Sequence, residues 1–180
     1  WMNPFPLLPT HVVIATTEHT SQEWPVCEEG NLDVAGLLND LVELAVRMPG
    51  YIGFYNGVNA GASIPGHLHF QFFKRPEDEP EFPLECAARR HREDGRDGIF
   101  LEDYPLDVAM WTGAREEVLA QSSGWIADWA IRNRKRINGL TANFIASSDS
   151  DGDTITLYFV PHDRSKAHGN GLSGLIGGLE

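Results

Sequence analysis

Two imidazoles and an amide recur at every second position in His67-Leu68-His69-Phe70-Gln71. In a strand successive side chains alternate faces, so His67, His69 and Gln71 would share one face and Leu68, Phe70 and Phe72 the other. An imidazole is neutral and nucleophilic near neutral pH, and a neighbouring amide can donate to developing negative charge. An apolar back would seat this polar face on a rigid platform. The chemistry these residues suggest is attack by a ring nitrogen. Most His-x-His pairs on strands do no chemistry, so a second feature has to support the reading.

That feature lies just upstream, in Asn56-Gly57-Val58-Asn59-Ala60-Gly61-Ala62-Ser63-Ile64-Pro65-Gly66. Gly57, Gly61 and Gly66 permit close backbone approach and positive φ. Consecutive N–H groups in such a run can form an anion-binding nest, and Asn56 and Ser63 add side-chain donors. A phosphate cradle leading into a strand with a histidine nucleophile is chemically coherent. The competing reading of the loop alone is a hairpin connection, which Asn-Gly favours.

These residues need elements to hold them. Leu7 to Thr16 is rich in β-branched residues and predicts a strand. Asn31 or Asp33 is placed to cap a helix, and Val34, Leu37, Leu38, Leu41, Leu44 and Ala45 recur at helical spacing up to Met48. Pro49-Gly50 ends it. Tyr51 to Tyr55 predicts a strand, and the histidine strand runs from about Gly66 to Phe73. Lys74 to Pro83 reads as a turn, and Leu84 to Arg92 as a short helix. Ile99 to Leu101 and Leu106 to Trp111 are strand candidates. Gly113 to about Arg136 suits a long helix, weakened at Ser122-Ser123-Gly124. Leu140 to Ala146 and Thr154 to Val160 flank an Asp-Gly-rich hairpin turn. Asp149, Asp151 and Asp153 look like part of a calcium loop, but the glycine falls early and no glutamate follows at the needed distance. The expected class is α+β, an antiparallel sheet with flanking helices.

The chain has 180 residues, enough for one domain with a real core. The opening Trp1-Met2-Asn3-Pro4 and the closing Gly177-Gly178-Leu179-Glu180 read as cut, so the expectation is a single domain over 1–180, trimmed at both ends. No apolar run approaches a membrane span. No secretion-signal pattern is visible, and Cys27 and Cys86 suggest no disulfide framework. A cytoplasmic location follows as an expectation. A net charge of −12 disfavours a nucleic-acid polymer, which needs a basic surface. A small nucleotide stays open, because a local pocket can be positive on an acidic protein. Lys74, Arg75, Arg164 and Lys166 are the candidate local cations, although ion pairing explains most such residues.

The run Gly61-Ala62-Ser63-Ile64-Pro65-Gly66-His67-Leu68-His69-Phe70-Gln71 resembles the active-site motif of the histidine triad (HIT-like) superfamily. It is most similar to the branch of galactose-1-phosphate uridylyltransferase, diadenosine tetraphosphate phosphorylase and GDP-galactose phosphorylase. That branch has glutamine where the hydrolases of the superfamily carry a third histidine, and here the position is Gln71. Asn3-Pro4-Phe5-Pro6-Leu7-Leu8-Pro9-Thr10-His11-Val12-Val13-Ile14, followed by His19 and Gln22, is similar to the first strand of the same branch. The loop departs from the family pattern: the spacing from Asn56 to the nucleophile is preserved, but Gly61 and Ser63 each fall one residue early. No Cys-x-x-Cys is present, and Cys27, Cys86, His67 and His91 lack zinc-ligand spacing, so neither metal nor cofactor is expected.

The resemblance implies a HIT-like fold and a nucleotidyltransferase or phosphorylase. His69 would attack the α-phosphorus of a nucleotide sugar or dinucleoside polyphosphate, forming a nucleotidyl-histidine. Its other ring nitrogen should donate to a backbone carbonyl. Gln71 would donate to the phosphate oxygens, and His67 would orient the site or simply pack. Asn56, Gly61 and Ser63 would hold phosphate, and Asn3 would grip the ribose. His11 is expected to be structural. The acceptor would be inorganic phosphate or a sugar phosphate; a homodimer is left open. Two alternatives stand beside this reading: a dinucleotide or nucleotide-conjugate hydrolase, and a nucleotide-binding module without turnover.

Overall fold

A computed structural model of the protein describes residues 1–163 apart from 5, 9, 24–33, 79–80, 97 and 134–139. The strands are β1 (His11–Ala15), β2 (Tyr51–Asn56), β3 (His69–Lys74), β4 (Ala109–Gly113), β5 (Leu140–Ser148) and β6 (Ile155–Asp163). The helices are α1 (Ala35–Arg47), α2 (Pro83–Glu93) and α3 (Arg115–Asn133). The strands form one six-stranded sheet in the order β1-β3-β2-β5-β6-β4. Every neighbouring pair in it is antiparallel. This is the α+β class expected from the pattern of elements.

Both sheet faces are covered. Leu37, Leu38, Leu41, Val42 and Ala45 of α1 are buried, the stripe that helical spacing predicts. They join Val118, Ile126 and Ala130 of α3 against Tyr55, Phe70, Phe72, Phe144 and Phe159. On the other face Leu84, Ala87 and Ala88 of α2, together with Phe82, pack on Ile52, Phe54, Phe73, Ile145 and Tyr158. Phe73 and Phe82 meet edge to face at 5.5 Å. Burial on both faces explains why β2 and β5 read as continuous runs rather than alternations.

Several elements differ from the sequence expectation. The first strand begins at His11, because Thr10 takes a left-handed φ of 59° that breaks the extended run. Val34 occupies the N-cap position of α1. Asn31 and Asp33 lie outside the described residues, as do Trp24, Cys27, Arg164 and Lys166. The Ile99–Leu101 segment makes only an isolated bridge, Phe100 to Ala109. Helix α3 runs unbroken through Ser122-Ser123-Gly124, with the Ser123 hydroxyl donating to the Leu119 carbonyl at 2.6 Å. The aspartate-rich turn closes the β5–β6 hairpin, where the Asp149 N–H donates to the Thr154 carbonyl. Backbone donors, Thr154 first, hold the Asp149 carboxyl below its usual range. No helix among the described residues is long and apolar enough to cross a membrane.

Candidate active site

Odd-numbered residues of β3 face the α2 side of the sheet. Phe73 lies beneath α2, and Gln71 and His69 follow on the same face beyond it. His69 is buried, 5% exposed. Its Nδ1 lies 2.8 Å from the His67 carbonyl oxygen. A carbonyl only accepts, so Nδ1 carries a proton. Among the described residues Nε2 has no hydrogen-bond partner, and it is not one of the polar atoms sealed from solvent. In the neutral ring the lone pair is therefore on Nε2, the nitrogen left open.

His67 lies outside β3, which corrects the expectation of a strand from Gly66. The His67 N–H donates to the Ile64 carbonyl and the Leu68 N–H to the Thr20 carbonyl. These bonds close a turn, so strand alternation starts only at His69. The His67 ring bonds through Nε2 to the Thr16 carbonyl at 2.8 Å. It packs against the exposed His19 ring, with centroids 4.6 Å apart.

Gln71 is half-buried, and its orientation is set from the edge strand. Asn3 Nδ2 donates to Gln71 Oε1 at 3.2 Å. His11, 1% exposed, lies beneath. The Leu7 N–H donates to His11 Nδ1 at 3.2 Å, which places the His11 proton on Nε2. Burial holds the His11 ring below its ordinary titration range, and its hydrogen bond with Gln71 works against that shift. Since Oε1 of Gln71 is taken as an acceptor, its NH2 group is the end left to donate. The structure therefore brings Asn3 to Gln71 and His11 through the outer edge of β1.

The glycine-rich loop leaves the sheet at Asn56. The Gly57 N–H donates to the Ala142 carbonyl at 2.9 Å and to Asn143 Oδ1 at 3.2 Å. A Cβ on Gly57 would fall 2.3 Å from Thr141 Oγ1 and 2.5 Å from the Ala142 oxygen, so only glycine fits. Gly61 has φ of +103°, and a Cβ there would meet the Asn56 side chain at 3.2 Å. Gly66 needs neither property, contrary to the sequence expectation. The Gly57 carbonyl accepts from the N–H groups of Ala60 and Ala62. Among the described residues the N–H groups of Gly61, Ser63 and Ile64 have no backbone acceptor. Ser63 is exposed, and Asn56 is 4% exposed with its Oδ1 sealed and, among the described residues, unpartnered.

Beyond Asn56 the same sheet face stays polar. Asn143 stands opposite Asn56, and Thr141 opposite His162. Among the described residues Thr141 Oγ1 and His162 Nε2 are buried without partners, and burial holds the His162 ring below its ordinary range. Sequence reasoning missed this strip because its members come together only through strand pairing between distant segments. Among the candidate cations, Arg75 is committed to a two-pronged ion pair with Glu85 at the start of α2, while Lys74 is exposed.

Sequence reasoning also gave no role to Gln22, which is completely buried. Its Oε1 accepts the His69 N–H at 2.8 Å, and its Nε2 donates to the carbonyls of His69 at 3.1 Å and Asn56 at 3.0 Å. Its own carbonyl accepts the Tyr55 hydroxyl, and its N–H donates to the Pro65 carbonyl. These contacts span 34 to 47 residues in sequence for the amide group, so no local pattern announces them.

A family model described as Domain of unknown function (DUF4922) matches residues 1–74, the stretch that carries β1 to β3 and the loop. No curated protein matches the chain. A crystal structure of yeast Ap4A phosphorylase is similar at 19% identity and a TM-score of 0.50, covering 89% of this chain and 54% of that one. A second, of the yeast enzyme in complex with Ap4A, has 18% identity and a TM-score of 0.49, covering 87% of this chain and 54% of that one. This chain spans about half the length of the yeast protein. At this identity the likeness establishes the fold: the HIT-like, antiparallel architecture expected from the sequence is the one present.

Proposed function

We propose that this chain is a nucleotidyltransferase, a phosphorylase or uridylyltransferase-like enzyme. It opens a nucleotide sugar or dinucleoside polyphosphate at the α-phosphate through a nucleotidyl-histidine on His69. The observation that supports this reading most is the His69 ring itself, with Nδ1 tied to the His67 carbonyl and Nε2 open at the root of the glycine-rich loop. That arrangement is what a neutral imidazole nucleophile requires.

In the first step the Nε2 lone pair forms a bond to the α-phosphorus. The bond from phosphorus to the bridging oxygen breaks, and that oxygen keeps the electron pair. The leaving group is a phosphate anion, so it departs without a strong acid. Gln71, which has no proton to give up at neutral pH, suits such a leaving group. Its NH2 donates to the nonbridging oxygens as charge builds there. The N–H groups of Gly61 and Ser63, with the Ser63 hydroxyl and Asn56, hold the remaining phosphate oxygens. In the second step an oxygen of inorganic phosphate or a sugar phosphate attacks phosphorus. The N–P bond breaks and its pair returns to Nε2. In this reading Asn3, joined to Gln71, meets the nucleoside.

The test is substrate consumption with and without acceptor. Diadenosine tetraphosphate, UDP-sugars and GDP-sugars are offered with inorganic phosphate, with a sugar phosphate, or with neither. The proposal expects turnover that depends on the acceptor. Equal turnover in water alone would make the protein a hydrolase, and binding without turnover would make it a nucleotide-binding module.

A further inference from the structure

The β2–β3 register runs from Tyr51 opposite Lys74 to Phe54 opposite Gln71. Two residues further along each strand, it sets Asn56 opposite His69. No such pairing forms. Both carbonyls turn instead to the Gln22 amide, which also takes the His69 N–H. One side chain thus stands where a ladder rung would be, between the nucleophile strand and the strand that launches the glycine-rich loop. Because it is fully buried, water does not compete for these bonds.

We infer that Gln22 is a positioning residue: its amide wedges β2 and β3 apart at the active site and fixes the His69 backbone relative to the root of the phosphate loop. The inference rests on the proposed role of His69. Glutamine suits the place because its amide offers two donors and an acceptor in one plane, and three backbone groups there are left without partners. The parting opens the sheet where a phosphoryl group must reach Nε2, and it holds the opening at one width. Displacement of a reacting group by about 1 Å can cost about a hundredfold in rate.

The test compares wild type with Gln22→Met and Gln22→Glu. Met keeps the length and loses every polar contact; Glu keeps the acceptor for the His69 N–H and loses both donors. Folding is followed by circular dichroism and the His69 tautomer by nitrogen-15 NMR of the imidazole, assigned with His69→Gln. The rate of labelling by α-phosphorus-32 diadenosine tetraphosphate is set against its affinity. In the folded variants the single Nδ1–H tautomer should give way to a mixture. Labelling should slow about a hundredfold, with affinity held within about threefold. An unchanged tautomer and rate in either folded variant overturns the inference, as does a loss of rate and affinity in step with unfolding. If Gln22→Met does not fold, Gln22→Glu decides. A wild type that never labels, yet whose tautomer changes in the variants, sinks the transfer reading and leaves Gln22 in its place.

Discussion

The Nδ1 of His69 lies 2.8 Å from the carbonyl oxygen of His67, two residues earlier in the same chain. The partner of the His69 ring is therefore backbone, and no side-chain substitution at position 67 removes it. The ring of His67 does something else: it ties the turn to Thr16 and packs on His19. Replacing His67 with Asn should leave the His69 tautomer intact. Labelling should slow by no more than about tenfold, because no hydrogen bond to the nucleophile's ring is lost. A collapse of labelling comparable to that of His69→Ala would instead make the His67 ring part of the chemistry.

Gln71 carries the heavier burden in the proposed transition state. Its oxygen is engaged by Asn3, so in the proposed reaction its NH2 is the end that meets the phosphate. Loss of one such donor typically costs about a hundred- to a thousandfold in rate. Gln71→Ala should show that loss in single-turnover labelling, with little change in nucleotide affinity. Asn3→Ala should act in the same direction but more weakly, by freeing the amide to rotate. A loss of affinity with the single-turnover rate unchanged would place Gln71 in ground-state binding only.

Two glycines of the loop should respond differently to substitution. Gly57→Ala forces a methyl group against Thr141 and the Ala142 carbonyl, so the loop root must lift off β5. Overpacking of this kind costs about 1–3 kcal/mol, or a drop of about 2–12 °C in Tm for a chain of this size. Nothing lies within 4 Å of a Cβ on Gly66, so Gly66→Ala should be close to neutral. Thermal scans of the two variants decide it, and equal stability would mean that the loop does not press on β5.

His11 and His162 should make stability depend on pH. Burial lowers both below their ordinary value of 6.5. Between that value and the lower folded one, the unfolded chain binds protons that the folded chain does not, so acid favours unfolding. Tm should hold level above about pH 7 and fall as pH drops towards about 5, a window above the range where carboxylates titrate. His162→Asn should flatten part of that slope. A Tm constant across the window would mean that both rings charge freely in the folded protein.

Much of the scaffold was legible because it is written in periodic apolar positions. The α1 stripe, the β2 strand and the β5–β6 hairpin follow from spacing and turn residues alone. The bond from the His69 ring to a backbone carbonyl was also foreseeable, since the family resemblance implied an acceptor for one ring nitrogen. What escaped is the product of long-range contacts. The turn at His67 is closed by Thr20, more than forty residues earlier, and so it broke the expected alternation. For Arg75 an ion pair was the commoner expectation, but its partner, Glu85 of α2, could not be named from the sequence. The Gln22 amide, joined to residues of β2 and β3 through their backbone only, leaves no pattern in side-chain types at all.

The central claim is a covalent bond between His69 and phosphorus, and mass spectrometry of the trapped protein tests it most directly. Wild type and His69→Ala are mixed briefly with diadenosine tetraphosphate, a UDP-sugar or a GDP-sugar, quenched in base and digested. The account predicts the mass of one nucleoside monophosphate on the peptide containing His69, lost on acid treatment and absent from His69→Ala. A folded wild type that gains no mass from any of these nucleotides, or an adduct that survives in His69→Ala, would contradict it.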